Sequence, residues 1–348
     1  MTWPLVATRQ LTEKDYTIAW ICALPIEKTA ARNMLDELHD NFPQPKHDKN
    51  IYTLGSIFGH NVVIVCQGDM GTVAAATVAT RMDGTFSGLR FGLMVGIGGG
   101  VPDEKDVRLG DVVISKGNGV FGGVFDRDRG KTTEVEGSDG NKSTEVKGSD
   151  KKTEVKFQAK PFLNGVPELL RNAFVELDSL LEDGDSSIPK YISDATTRNS
   201  LFQQFHRPAL EDNLFKVGYL HVDPRDDQCA QCQKDDDHLV SRKNRTNVKD
   251  VHFGLVSSGN DVIKNSTERA KIVKDFPDTL AVEMEASGIM NIFGCATIRG
   301  ICDYADSHKN DGWQKYAAAR AAACAKEVLR IIPKVQLEAT PSIPVASE

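Results

Sequence analysis

Short apolar runs rich in β-branched residues alternate with stretches of helical spacing along most of the chain, and this alternation predicts its elements. Tyr16–Leu24 (YTIAWICAL) reads as a strand, and Pro25 then opens a helix through IEKTAARNMLDELH. Asn50–Ser56 and Asn61–Gln67 form a strand pair around the turn Gly59-His60-Asn61. Gly71–Arg81 is a helix of small residues, and Phe91–Val95 a buried strand ending in the turn Gly96-Ile97-Gly98-Gly99-Gly100. Asp111–Ser115, His252–Ser258, Thr279–Met284 and Ala296–Cys302 read as further strands. Val166–Leu181, Ser266–Lys274, Glu285–Ile292 and Trp313–Ile332 read as helices. Strands alternating with helices predict one α/β domain over 15–335, with a central mixed sheet flanked by helices.

Two polar stretches interrupt this rhythm, at about 127–157 and 222–250. The first holds three near-copies of one phrase, KTTEVEGSD, NKSTEVKGSD and KKTEVK, recurring at about ten residues. A repeat so short and polar cannot bury a core of its own, so it reads as an exposed hairpin or loop. Residues 1–14 read as a loose leader, and 336–348 as a flexible tail rich in Pro, Ser and Ala.

Composition narrows the function. A net charge of -7 over 348 residues argues against a general nucleic-acid binder, because a phosphate backbone selects basic surfaces. No apolar run reaches the roughly 20 residues of a membrane helix. Seven cysteines, an odd number, lie partly in apolar runs, the pattern of reduced buried thiols in a cytoplasmic protein.

Three segments set polar residues at the ends of apolar strands, where open α/β sheets bind ligands. They are Ala23–Glu27, the glycine run to Pro102, and the pair Val282–Ala286 with Gly300–Asp306. Each residue has a plain structural reading beside the chemical one. Glu27 in a first helical turn suits the helix dipole, Asp303 and Asp306 suit turn caps, and Glu283 and Glu285 flank a Met in a buried strand. The glycine run lacks the third Gly of a dinucleotide fingerprint, and no GxxxxGK[ST] phosphate loop occurs. Cys229-x-x-Cys232, with His221 and His238, is only half of a zinc pattern. Arg242 and Arg245 read as a solvated face, with reach to substrate phosphates as the alternative.

Together these segments resemble the nucleoside phosphorylase and nucleosidase superfamily. The similarity is strongest to its methylthioadenosine/S-adenosylhomocysteine nucleosidase branch and to the purine nucleoside phosphorylase-type domains common in fungal proteins. It runs from Tyr16 to Ile332 and is most specific in SSGNDVIKNSTERAKIVKDFPDTLAVEMEASGIMN (Ser257–Asn291) and RGICDYADSHKNDGWQKYAAARAAACAKE (Arg299–Glu327). The resemblance implies that Asp303 protonates a departing purine and that Glu27 orients the attacking water. It implies that Glu285 holds the ribose hydroxyls with Met284 against the sugar; from the residues themselves, Glu283 in its buried run and Gly98 and Gly99, suited to close approach of a sugar or anion, are further candidates for the site. Val262 stands where that branch stacks a Phe on adenine, and Ile263 where the backbone reads the base edge. Cys302 replaces a Ser before the aspartate.

A glycosidic bond breaks through an oxocarbenium-like sugar, so the poor purine leaving group needs a proton near N7. Burial would raise the Asp303 pKa for that work, and a second carboxylate would hold water. The expected activity is hydrolysis of the N-glycosidic bond of an adenine nucleoside or nucleotide, ATP included, with no metal and no cofactor. Phosphorolysis is the alternative, disfavoured because the strand FGLMV carries no Arg for phosphate and Glu27 adds negative charge. A non-catalytic nucleoside sensor is the other. The substrate's 5′ end would contact the insertions or a neighbouring subunit of a homo-oligomer.

Overall fold

The computed structural model describes residues 11–136, 153–159, 163–223, 229, 231–234, 236–245, 249–309 and 311–343. Its strands are β1 (Ile18–Cys22), β2 (Glu37–His39), β3 (Tyr52–Ile57), β4 (His60–Cys66), β5 (Phe91–Gly100) and β6 (Val112–Ser115), followed by β7 (Val124–Asp126), β8 (Gly130–Glu136), β9 (Thr153–Ala159), β10 (Val251–Ser258), β11 (Thr279–Glu283) and β12 (Cys295–Asp303). The helices are α1 (Pro25–Met34), α2 (Thr72–Thr85), α3 (Glu168–Asp183), α4 (Ile188–Arg198), α5 (Ser266–Asp275), α6 (Gln314–Ile331) and α7 (Lys334–Ala339).

β1 is apolar on both faces because it lies inside the sheet, parallel to β4 on one side and β5 on the other. The strand order is β11-β10-β6-β12-β5-β1-β4-β3-β2, and β11 also pairs antiparallel with β5. That pairing closes β5, β12, β6, β10 and β11 into a ring. The expected mixed sheet flanked by helices is thus observed. Helix α6 is buried along most of its length, with alanines facing β5, β12 and the helices α1, α3 and α4. Its close approach to β12 depends on Gly300, where an added Cβ would lie 1.9 Å from the carbonyl oxygen of Ala317. Among the described residues no helix is long and apolar enough to cross a membrane.

Several elements depart from the pattern read in the sequence. The first helix stops at Met34, and Glu37–His39 pairs with β3 as an edge strand instead of continuing it. The glycine run is strand, not turn: β5 continues to Gly100, with β11 and β12 against it. Glu285–Ile292 is only a 3-10 turn over Ala286–Gly288 and irregular backbone. Helix α4 and the 3-10 segment Ser200–Phe205 lay in a stretch with no assignment. The tail begins as helix α7, because Leu337 is buried and the Ile343 N–H donates to the Leu89 carbonyl (2.9 Å). Of the leader, residues 1–10 lie outside the described residues. Thr12 and Asp15 close a 3-10 turn, and Leu11 packs on the core. In the first polar insertion β8 and β9 pair antiparallel as a separate two-stranded sheet, and 137–152 lie outside the described residues.

Candidate active site

The loops after β1, β4, β7, β10, β11 and β12, with the end of β5, line a cavity of about 380 Å³. The structure brings together Glu27, Gly98, Gly99, Val262, Ile263, Glu283, Met284, Glu285, Cys302 and Asp303 on its wall. Five segments distant in sequence therefore meet there, and Arg127, Lys264 and Lys309 join them.

Glu27 is held by the turn that starts α1. One carboxylate oxygen accepts from the N–H groups of Ala23 (2.7 Å) and Leu24 (2.9 Å), the other from Ile97 N–H on β5 (2.8 Å). Burial pushes its pKa above the usual glutamate value, against the opposing pull of Arg299 and these three N–H groups. Gly96 makes room for it, since a Cβ there would lie 2.3 Å from the Glu27 oxygen and 2.6 Å from an Arg299 nitrogen.

Arg299 had no role assigned from sequence, yet it organises the carboxylates. It is fully buried on β12, bonds Glu283 and lies 3.2 Å from Glu285 Oε2. A lone cation in the apolar run ATIRGIC was the available signal, because a buried charge requires a partner. Burial works to lower the Arg299 pKa, but Glu283, Glu285 and Glu27 outweigh it and raise it. Glu283 belongs to the frame of the site: besides Arg299 it accepts from the N–H groups of Glu285 (3.1 Å) and Ala286 (3.0 Å). Glu285 keeps more freedom. Burial, partly offset by Arg299 and reinforced by Glu283 and Glu27, pushes its pKa up to about 7.

Asp303, at the end of β12, is buried but not isolated. Its Oδ1 accepts from Ala305 N–H (2.9 Å), and its Oδ2 lies 3.0 Å from Lys309 Nζ and 3.1 Å from Cys302 Sγ. The expected lone, desolvated acid is therefore one half of an ion pair, a pairing with no signature in the sequence. Cys302 also donates to the Gly98 carbonyl (3.5 Å), and burial with the adjacent Asp303 pushes its thiol pKa well up.

Arg127 spans the wall, donating to the carbonyls of Glu283 (3.0 Å), Gly259 (2.9 Å), Ser257 (3.3 Å) and Asp261. Ile263 is buried, whereas Val262 stands 42% exposed at the rim. Arg242 and Arg245 do not reach the cavity. Arg242 is bound to Asp212 (3.0 Å) and the Tyr304 hydroxyl (2.7 Å), and Arg245 to Asp111 (2.7 Å) and Asp106 (3.2 Å), so both are structural ion pairs. Cys229 and Cys232 are buried beside Phe215, and among the described residues no group of three or more His, Cys, Asp or Glu could hold a metal ion.

Residues 17–160 match the family model described as the phosphorylase superfamily. The chain is 43% identical over 326 residues to a protein of Hyaloscypha variabilis described as nucleotide-binding leucine-rich repeat (NLR)-like; the match covers 92% of this chain but 30% of that relative. Three solved structures share the fold. A putative 5′-methylthioadenosine/S-adenosylhomocysteine nucleosidase from Borrelia burgdorferi bound to adenine aligns at TM-score 0.53 and 17% identity, over 91% of this chain and 100% of that one. The Neisseria meningitidis nucleosidase in complex with methylthio-immucillin-A aligns at 0.50 and 18%, over 90% and 98%. Futalosine hydrolase of Helicobacter pylori aligns at 0.50 and 15%, over 91% and 98%. Residues 17–160 are thus similar to the phosphorylase superfamily, and the chain shares the fold of these solved structures.

Proposed function

We propose that the chain hydrolyses the N-glycosidic bond of an adenine nucleoside or nucleotide and releases the base. The observation that carries this reading is the meeting of Glu27, Glu285 and Asp303 in one cavity, with Arg299 offsetting part of their charge. Glu27 holds and deprotonates the attacking water; its raised pKa suits a base working near neutral pH. Glu285 accepts from the ribose hydroxyls, an interaction that gains strength as positive charge develops on the sugar. Asp303 delivers the proton to N7 as the bond to C1′ lengthens. Met284 packs against the sugar, and Val262 and Ile263 border the base.

Water is the preferred nucleophile. The cavity does contain arginines, but Arg299 is committed to carboxylates and Arg127 to main-chain carbonyls. Neither offers the free bidentate face that a phosphate nucleophile needs. Lys264 on the wall suits a substrate with an anionic 5′ group, which extends the substrate range to nucleotides such as AMP and ATP.

The test is incubation of the full chain with adenosine, methylthioadenosine, AMP and ATP, with and without inorganic phosphate, followed by chromatography of the free base. Adenine release without phosphate is expected. Release that requires phosphate would make the chain a phosphorylase. No release from any of the four, with the fold intact, would favour a nucleoside-sensing domain, the reading that the NLR-like relative keeps open.

A further inference from the structure

One contact in the cavity has no part in the scheme above. Lys309, in the loop after β12, lies 3.0 Å from Asp303 Oδ2, and both line the cavity where the purine would sit. Its side chain retains 28% exposure, whereas that of Asp303 retains 3%. The carboxylate is thus cut off from bulk water on its own, while the ammonium touches both the carboxylate and the cavity mouth. An ionised Asp303 held by Lys309 has no proton to give to a leaving base.

Resting on the hydrolase reading, we infer that Lys309 is a positioning residue for Asp303 and the source of the proton that Asp303 passes to the base. As the C1′–N9 bond breaks, its electron pair moves onto the purine and N7 becomes basic. Asp303 gives a proton to N7 and takes one from Lys309 Nζ, so the ammonium becomes a neutral amine and Asp303 ends as it began. The amine then regains a proton from solvent at the cavity mouth. Separately, the attacking water gives its proton to Glu27, which returns it to solvent. No other reactant is needed, and charge balances when the base leaves.

Other charges bear on Lys309. Asp303 and Cys302 face it from β12, and Asp311 from its own loop. Across the cavity stand Glu27 on α1 and Glu283 and Glu285 at the end of β11, with Arg127, Asp261 and Lys264 on the remaining wall. Burial pulls the ammonium pKa down, but its acidic neighbours outweigh this and raise it above the usual lysine value. The relay therefore stays charged across the physiological range. It fails only as pH rises through the lysine range, above about 10.

The test compares wild type, Lys309→Arg and Lys309→Met for adenine release from adenosine, methylthioadenosine, AMP and ATP over pH 5 to 10.5. Arginine keeps the cation but cannot give up a proton. Lys309→Arg is expected to lose about 10²-fold in kcat, the lower end of a typical proton-transfer contribution, with KM within about threefold of wild type. In Lys309→Met, kcat should fall as pH rises, because no neighbouring ammonium then supplies the proton. Lys309→Arg turning over within threefold of wild type would overturn the relay and leave the hydrolase reading standing. A wild type that releases no base from any substrate would remove both. Should a variant not fold, the wild-type profile decides: activity held without a descending limb up to about pH 10 supports the relay, and a descending limb in the carboxylate range, about pH 4–6, overturns it.

Discussion

Three glutamates and one arginine lie buried together at the centre of the site, and their charges do not cancel. The excess negative charge has a measurable consequence at Glu285, whose pKa is pushed up to about 7 by burial together with Glu283 and Glu27. The folded chain thus binds this proton more tightly than the unfolded chain, so the associated stability is full below the ordinary glutamate value and is lost as pH rises through about 7. The urea midpoint of the wild type should fall between pH 5 and 8, and that of Glu285→Gln should fall less. Equal slopes would show that Glu285 does not hold the proton. At Asp303 the expectation is kinetic. Asp303→Asn keeps the shape and loses the transferable proton, so kcat should drop by about 10²–10⁴ with adenine affinity nearly unchanged. Near-wild-type turnover would mean that another group protonates the base. The three acids were visible in the sequence because carboxylates at the ends of apolar strands are rare without a purpose. Arg299 was visible only as an unexplained cation, and Lys309 not at all, since a lysine in a polar loop carries no pattern.

At the level of elements, most strands were legible because a sheet covered on both sides turns its strands into continuous apolar runs. What failed were the segments whose conformation depends on a distant neighbour. The glycine run resembles a turn locally. It is strand because β11 and β12 crowd it so closely that larger side chains would collide with Glu27, Arg299 and Asp303. Two glycines separate function from stability here. Gly96→Ala would drive a methyl into Glu27 and Arg299, both ends of side chains that can shift, so Glu27 should leave its bond to Ile97 N–H. The expected result is loss of most base-release activity with a stability change of about 1 kcal/mol. Gly300→Ala meets the main chain of α6, which cannot yield, and should cost about 3 kcal/mol or more. Paired urea titrations and activity assays check both; equal stability losses would show that the two glycines do the same job.

At the scale of the whole molecule, the cavity is assembled from segments as far apart as Ala23 and Gln314, so a ligand seated in it ties both halves of the sheet together. A purine bound only to the folded chain stabilises it by about 2.7 kcal/mol at one hundred times its dissociation constant. Adenine should therefore raise the melting temperature by several degrees. The gain should shrink in Asp303→Ala, which removes the carboxylate facing the purine edge. Hydrogen exchange should slow in the same titration at Asp261–Lys264 and at Tyr304–Lys309, the loops that follow β10 and β12. The two must respond together, because one ring contacts both. Protection in one loop alone, or a melting temperature unmoved by millimolar adenine, would put the purine outside this cavity and leave the carboxylates without the substrate proposed for them.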